Sequence, residues 1–202
     1  MAAADRSGGI DGTLARGFPR SLAIDVAAAA RIIPATGYAP VGEFTVGVDR
    51  EQLSIPDRIY NGEPNAEFVT VLAPTARLVL HCFYTRHHDG LVRQRNLQRI
   101  IAASNLWVAA YVVRLLGEYV VEIVESIATG LSDLTVPGSD QRAVYGRLIA
   151  ENPKLIDLTA ARVVSYWNEY YRSRYHRLVD YPGQALVADL RSAGREYAGV
   201  VR

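Results

Sequence analysis

The chain has 202 residues, half of them hydrophobic and 21% charged, with 22 basic residues against 21 acidic ones. That length suffices to bury a sizeable core as one domain, and the apolar content excludes global disorder. The near-neutral balance excludes a surface built throughout for nucleic acid or anionic lipid, so any such patch must be local.

The opening MAAADRSGGIDG is small, polar and glycine-rich, and residues 1–20 read as a mobile tail. The rest, 21–202, reads as a single helical domain made of an irregular arm over 21–64 and a helical core over 65–202. SLAIDVAAAARII, residues 21–33, is expected to be a helix; Asp25 and Arg31 interrupt it too soon for a signal peptide. In the arm, Phe44, Val46 and Val48 alternate and Leu53 and Ile55 follow a polar DREQ, the pattern of a short hairpin or an irregular segment. Pro34, Pro40, Pro56 and Pro64 argue against long helices there.

From Pro74 onward helical spacing dominates. PTARLVLHCFYTRHH reads as one helix, and Asp89 and Gly90 make a corner and N-cap for GLVRQRNLQRIIAAS. Ser104 or Asn105 opens a third, longer helix from 107 to about 128, ended by Gly130. SDLTVPGSD is a loop, Ser139 or Asp140 starts QRAVYGRLIAE, and Asn152 and Pro153 separate it from a long helix running to Tyr181. GQALVADLRSAGREYAGVV closes the chain. The fold class is therefore all-α, with about six helices after residue 70.

Cys82 is the lone cysteine, which removes disulfides and cysteine-rich zinc sites and points to a reducing cytoplasm. The most apolar stretch, 106–127, carries Arg114, Glu118, Glu122 and Glu125, a costly load for a bilayer centre, so no membrane association is expected. As one helix it would present these four residues as a stripe, with Glu118 and Glu122 as like charges in need of a cation. The neighbouring basic helix offers Arg93, Arg95 and Arg99. A third concentration lies in YWNEYYRSRYHR, residues 166–177, where Tyr170, Arg174 and Tyr175 flank a core face of Val163, Val164, Trp167, Tyr171 and Leu178. Tyrosine, tryptophan and arginine are the residues of interface hot spots.

Two short resemblances stand beside this reading. His88-Asp89 is similar to the metal-binding doublet of HD-domain phosphohydrolases, which implies a metal-dependent hydrolase; that pattern also needs an upstream histidine on another helix, and His81 is the first histidine here. Asp89, Val92 and Arg93 resemble the inner-helix start of a HEAT repeat, which implies an antiparallel helix pair.

No nucleophile motif, phosphate-binding glycine loop or dinucleotide fingerprint is present, so an enzyme is not the expectation, and no catalytic residue, metal ligand or cofactor is nominated. The leading expectation is a soluble helical protein that binds a protein partner or itself. The candidate interaction residues are Arg93, Arg95, Arg99, Glu118, Glu122, Glu125, Tyr170, Arg174 and Tyr175. The alternatives are a nucleic-acid-binding helix-turn-helix using the helix at 91–103 and the hydrolase based on His88 and Asp89.

Overall fold

The computed structural model describes residues 8–200 and is mostly helical, with 65% helix and one two-stranded hairpin. The chain divides into two compact units, residues 1–96 and 97–202.

In the first unit, helix α1 (Gly8–Gly17) is followed by a 3₁₀ turn at Arg20–Leu22 and helix α2 (Ala23–Ala30). The expected mobile tail thus differs from what is found over its described part. Leu14 is fully buried and Phe18 is 2% exposed, and an apolar side chain removed from water at each turn gives the segment reason to stay ordered. The first seven residues of that tail lie outside the described residues.

Strands β1 (Val41–Val48) and β2 (Glu51–Arg58) pair antiparallel with Val48 opposite Glu51 and Phe44 opposite Ile55. Alternation sets the buried face: Val46, Val48, Leu53 and Ile55 are all within 2% of complete burial. The loop is two residues long, Asp49 and Arg50, and both have positive φ (49° and 68°), as the hairpin turn matching strand twist demands. The hairpin expectation therefore holds, with a tighter turn than DREQ implied.

The short helix α3 (Ala66–Thr70) precedes α4 (Pro74–Tyr84) and α5 (Gly90–Ile100). Pro74 starts α4, where its missing N–H costs nothing. The division between the units falls within α5.

The second unit contains α6 (Leu106–Leu116), α7 (Val121–Gly130), α8 (Asp140–Glu151), α9 (Pro153–Tyr166) and α10 (Pro182–Val200). All eleven residues of α6 are buried, and the helix packs against α7, α8 and α9. Helices α8 and α10 form the most extensive helix pair, because Gly146 brings the two backbones together: a methyl group there would sit 2.6 Å from the Ala193 carbonyl oxygen. Among the described residues seven α-helices follow residue 70, against about six expected.

Two boundaries correct the sequence reading. The expected helix over 107–128 is two helices, because α6 stops at Leu116 and Val120 is extended before α7 begins. The expected long helix running to Tyr181 ends at Tyr166 and widens into one π-helical turn, Trp167–Tyr171. The Trp167 indole N–H then donates to the Tyr175 carbonyl (2.9 Å), folding the chain back on itself.

Candidate interaction surface

The corner after α4 shows how the cluster His87-His88-Asp89 is used. Ile59, fully buried, donates its backbone N–H to the Arg86 carbonyl and accepts from the His88 N–H, both at 3.0 Å, so the corner is an extension of the hairpin's pairing. Asp89 Oδ1 accepts the Leu91 N–H (2.8 Å), capping α5. That bond holds the Asp89 carboxyl below its ordinary range. The His87 ring accepts the Asp89 N–H through Nδ1 (3.1 Å), which makes it a neutral imidazole, and burial, reinforced by neighbouring His88, lowers its pKa.

Arg86 and Arg93, the largest fully buried side chains, fasten the corner from two sides. Arg86 donates to the carbonyls of Pro56 (3.3 Å) and Asp57 (3.2 Å), tying the corner to β2. Arg93 Nη1 donates to the carbonyls of both His87 and His88, at 2.9 and 2.8 Å. A bonded guanidinium can thus occupy a protein interior that would reject a bare one.

Arg93 therefore faces inward, and the three arginines of the basic helix do not form one face. At 100° per residue, Arg95 and Arg99 lie on the opposite side of α5. Both are exposed, and Arg95 pairs with Glu63 at 2.5 Å. This removes one of the three cations on which a base-reading helix would depend. Among the described residues, no group of three or more His, Cys, Asp or Glu side chains is arranged to hold a metal ion. The Cys82 thiol is fully buried and its pKa is pushed up by that burial, which leaves it inert as a nucleophile.

The acidic stripe is likewise divided. Arg114 and Glu118 are buried and partnered, Glu122 is exposed on α7, and Glu125 joins the aromatic segment. Its Oε1 accepts from Arg174 Nη2 (2.6 Å) and from the Tyr175 hydroxyl (2.8 Å). The structure thus brings together three of the nine candidate residues.

Of the tyrosines around this triad, Tyr170 is a candidate from the sequence, whereas Tyr119, Tyr166, Tyr171 and Tyr181 are not singled out there as site residues. The Tyr171 hydroxyl donates to the Tyr119 carbonyl and accepts the Val121 N–H at 3.1 Å. It thereby satisfies one of the donors exposed where α7 begins. From Tyr171 a chain of rings runs inward to Tyr181 (5.8 Å between centroids, stacked) and outward to Tyr170 (6.3 Å), Tyr166 (6.2 Å) and Tyr119 (6.2 Å). Tyr181 is buried, and burial raises its hydroxyl pKa, as it does for Tyr171 and Tyr175. At the open end Tyr170 is 58% and Tyr119 48% exposed. The arrangement is a wall of tyrosines anchored inside the unit and open at its rim. Arg172 over the Trp167 ring (5.4 Å) and the Arg177–Asp180 pair (3.2 Å) border the same segment in sequence.

Val164, assigned to the core face by spacing, is 41% exposed, because the helix that would have carried that face onward ends two residues later.

Among known proteins, no family model matches the chain, and no curated protein and no solved structure is similar to it at a significant level. No helix among the described residues is long and apolar enough to cross a membrane.

Proposed function

We propose that the chain is a binding protein that associates with a second copy of itself through the tyrosine wall of its second unit. The observation that carries this reading is the pairing of exposed Tyr170 and Tyr119 with an anchored ring system behind them. An interface hot spot needs a large aromatic surface whose rotamers are already held, since ordering a mobile side chain costs about 0.5–1.5 kcal/mol on binding. Tyr171, fixed by two backbone hydrogen bonds and stacked on Tyr181, supplies that holding.

A second copy is the favoured occupant because the segment carries both signs of charge. Arg172, Arg174 and Arg177 stand among Glu169 and Asp180 on 166–181, and a two-fold interface must be complementary to itself. The Glu125–Arg174 pair is half exposed and is worth about 0–1 kcal/mol, so its role is to hold the segment's position.

The test is Tyr170→Glu, which places a charge at the rim and removes one ring contact of Tyr171 while leaving its two backbone hydrogen bonds and its stack on Tyr181. It should convert an associated species to monomer on size-exclusion chromatography with light scattering while leaving helical circular dichroism intact. An unchanged mass would remove the tyrosine wall from the interface.

A further inference from the structure

The first unit holds a feature that the proposed association does not use: a groove of about 370 Å³ where the end of α1 meets the hairpin turn. Arg16 comes from the last turn of α1, Arg20 from the turn after it, and Arg50 from the hairpin loop, while Phe18 and Leu53, each 2% exposed, form its apolar floor. Among the described residues, the only acidic one in the lining is Glu51, and it is already engaged, accepting the Arg20 backbone N–H at 3.1 Å and lying 3.8 Å from Arg20 Nε.

We propose that this groove binds a small phosphorylated metabolite through its phosphate monoester. Three guanidiniums and one carboxylate leave a local charge of two positive units. A phosphate monoester carries about −1.5 to −2 at neutral pH, so the charges match in size as well as sign. Forked guanidinium donors suit its oxygens, and several can share one phosphate where a carboxylate would satisfy only one fork. The carboxyl end of α1 opposes an anion with roughly half a charge, which the three arginines outweigh. The space falls within the range for small-ligand sites and exceeds what a bare ion fills.

A second, independent observation lies in the backbone. Arg50 has φ of 68° at a turn position where glycine sits without strain. Asp49 tolerates that region, but an arginine there is uncommon, and strained residues concentrate at sites of function. Strain retained at the one loop residue that reaches the groove is explained if its guanidinium is needed there.

The experiment is a titration of the full chain with glycerol 3-phosphate, inorganic phosphate and acetate at matched ionic strength, followed through arginine side-chain NMR resonances. Glycerol 3-phosphate and phosphate should give saturable shifts at Arg16 and Arg50, with the ester tighter, and acetate should not saturate. Arg50→Gly relieves the backbone, so its melting temperature should hold or rise while affinity for the ester falls roughly tenfold or more. Arg16→Gln should weaken binding similarly, and Arg31→Gln, outside the groove, should leave it unchanged. Unsaturable shifts, equal binding of acetate, or full affinity in Arg50→Gly would each overturn the proposal.

Discussion

At the scale of single residues, two arginines on one helix carry different consequences. Arg93 is fully buried and bonded to two carbonyls, whereas the Arg95 side chain is 57% exposed in a surface ion pair. Arg93→Met keeps the apolar stem but leaves the His87 and His88 carbonyls without their donor. Since a hydrogen bond to a charged group contributes about 1.5–3 kcal/mol, the expected loss in urea unfolding is about 3 kcal/mol or more. Arg95→Met should cost no more than about 1 kcal/mol. Similar losses for the two would contradict the assignment of Arg93 to the corner.

His87 gives the same corner a pH dependence. Its pKa is lowered in the folded chain by burial, so between that value and the ordinary histidine value the unfolded state binds the extra proton. Stability must then rise with pH through this window and fall as the solution is acidified below about 6.5. His87→Gln should flatten that slope in denaturation midpoints measured from pH 5 to 7; an unchanged slope would mean that another group titrates there.

At the scale of elements, glycine spacing decides how α8 meets α10. In an isolated helix Gly146→Ala would gain about 1 kcal/mol from propensity. Here the new methyl group would lie 2.6 Å from the backbone oxygen of Ala193. A backbone neighbour cannot swing away as a side chain can, and overpacking of this kind costs about 1–3 kcal/mol. A net loss in thermal or urea unfolding is expected, and a stabilised variant would show that the two helices can part freely.

Several elements were legible from local chemistry. Ser139 accepts the Arg142 N–H and starts α8, Pro153 starts α9, and the alternation of Val46, Val48, Leu53 and Ile55 specifies the buried hairpin face. The breaks were not legible, because long-range contacts make them. Residues 106–130 keep helical spacing across Gly117, and the interruption is held by a tyrosine fifty residues further on, whose hydroxyl bonds on either side of Val120. The π-helical turn at Trp167–Tyr171 similarly follows a run with unbroken helical periodicity. The candidate stripe failed for the same reason: its four members are spaced for one helix, whereas Arg114 lies on α6, Glu118 in the connection after it, and Glu122 and Glu125 on α7. Of the interaction residues, Glu125, Arg174 and Tyr175 each stand out from local composition, but their meeting was not legible: it joins positions about fifty residues apart, where the sequence points to the basic helix for the cation. Tyr119 carried no signal until the break exposed it.

At the scale of the whole molecule, a fully buried helix α6 gives the second unit a core, and the aromatic segment after α9 is fastened to that unit by Tyr171, Tyr175 and Arg174. The first unit spends its buried arginines on structure at the corner and gathers another set around the groove by the hairpin turn. The central claim concerns the tyrosine wall, and sedimentation velocity over a dilution series tests it most directly. The expected result is a dimer that dissociates on dilution, with Tyr170→Glu shifting the midpoint to higher concentration by roughly tenfold or more, as loss of a hot spot requires. A wild-type chain that sediments as a monomer throughout, or a dimer indifferent to Tyr170→Glu, would contradict it.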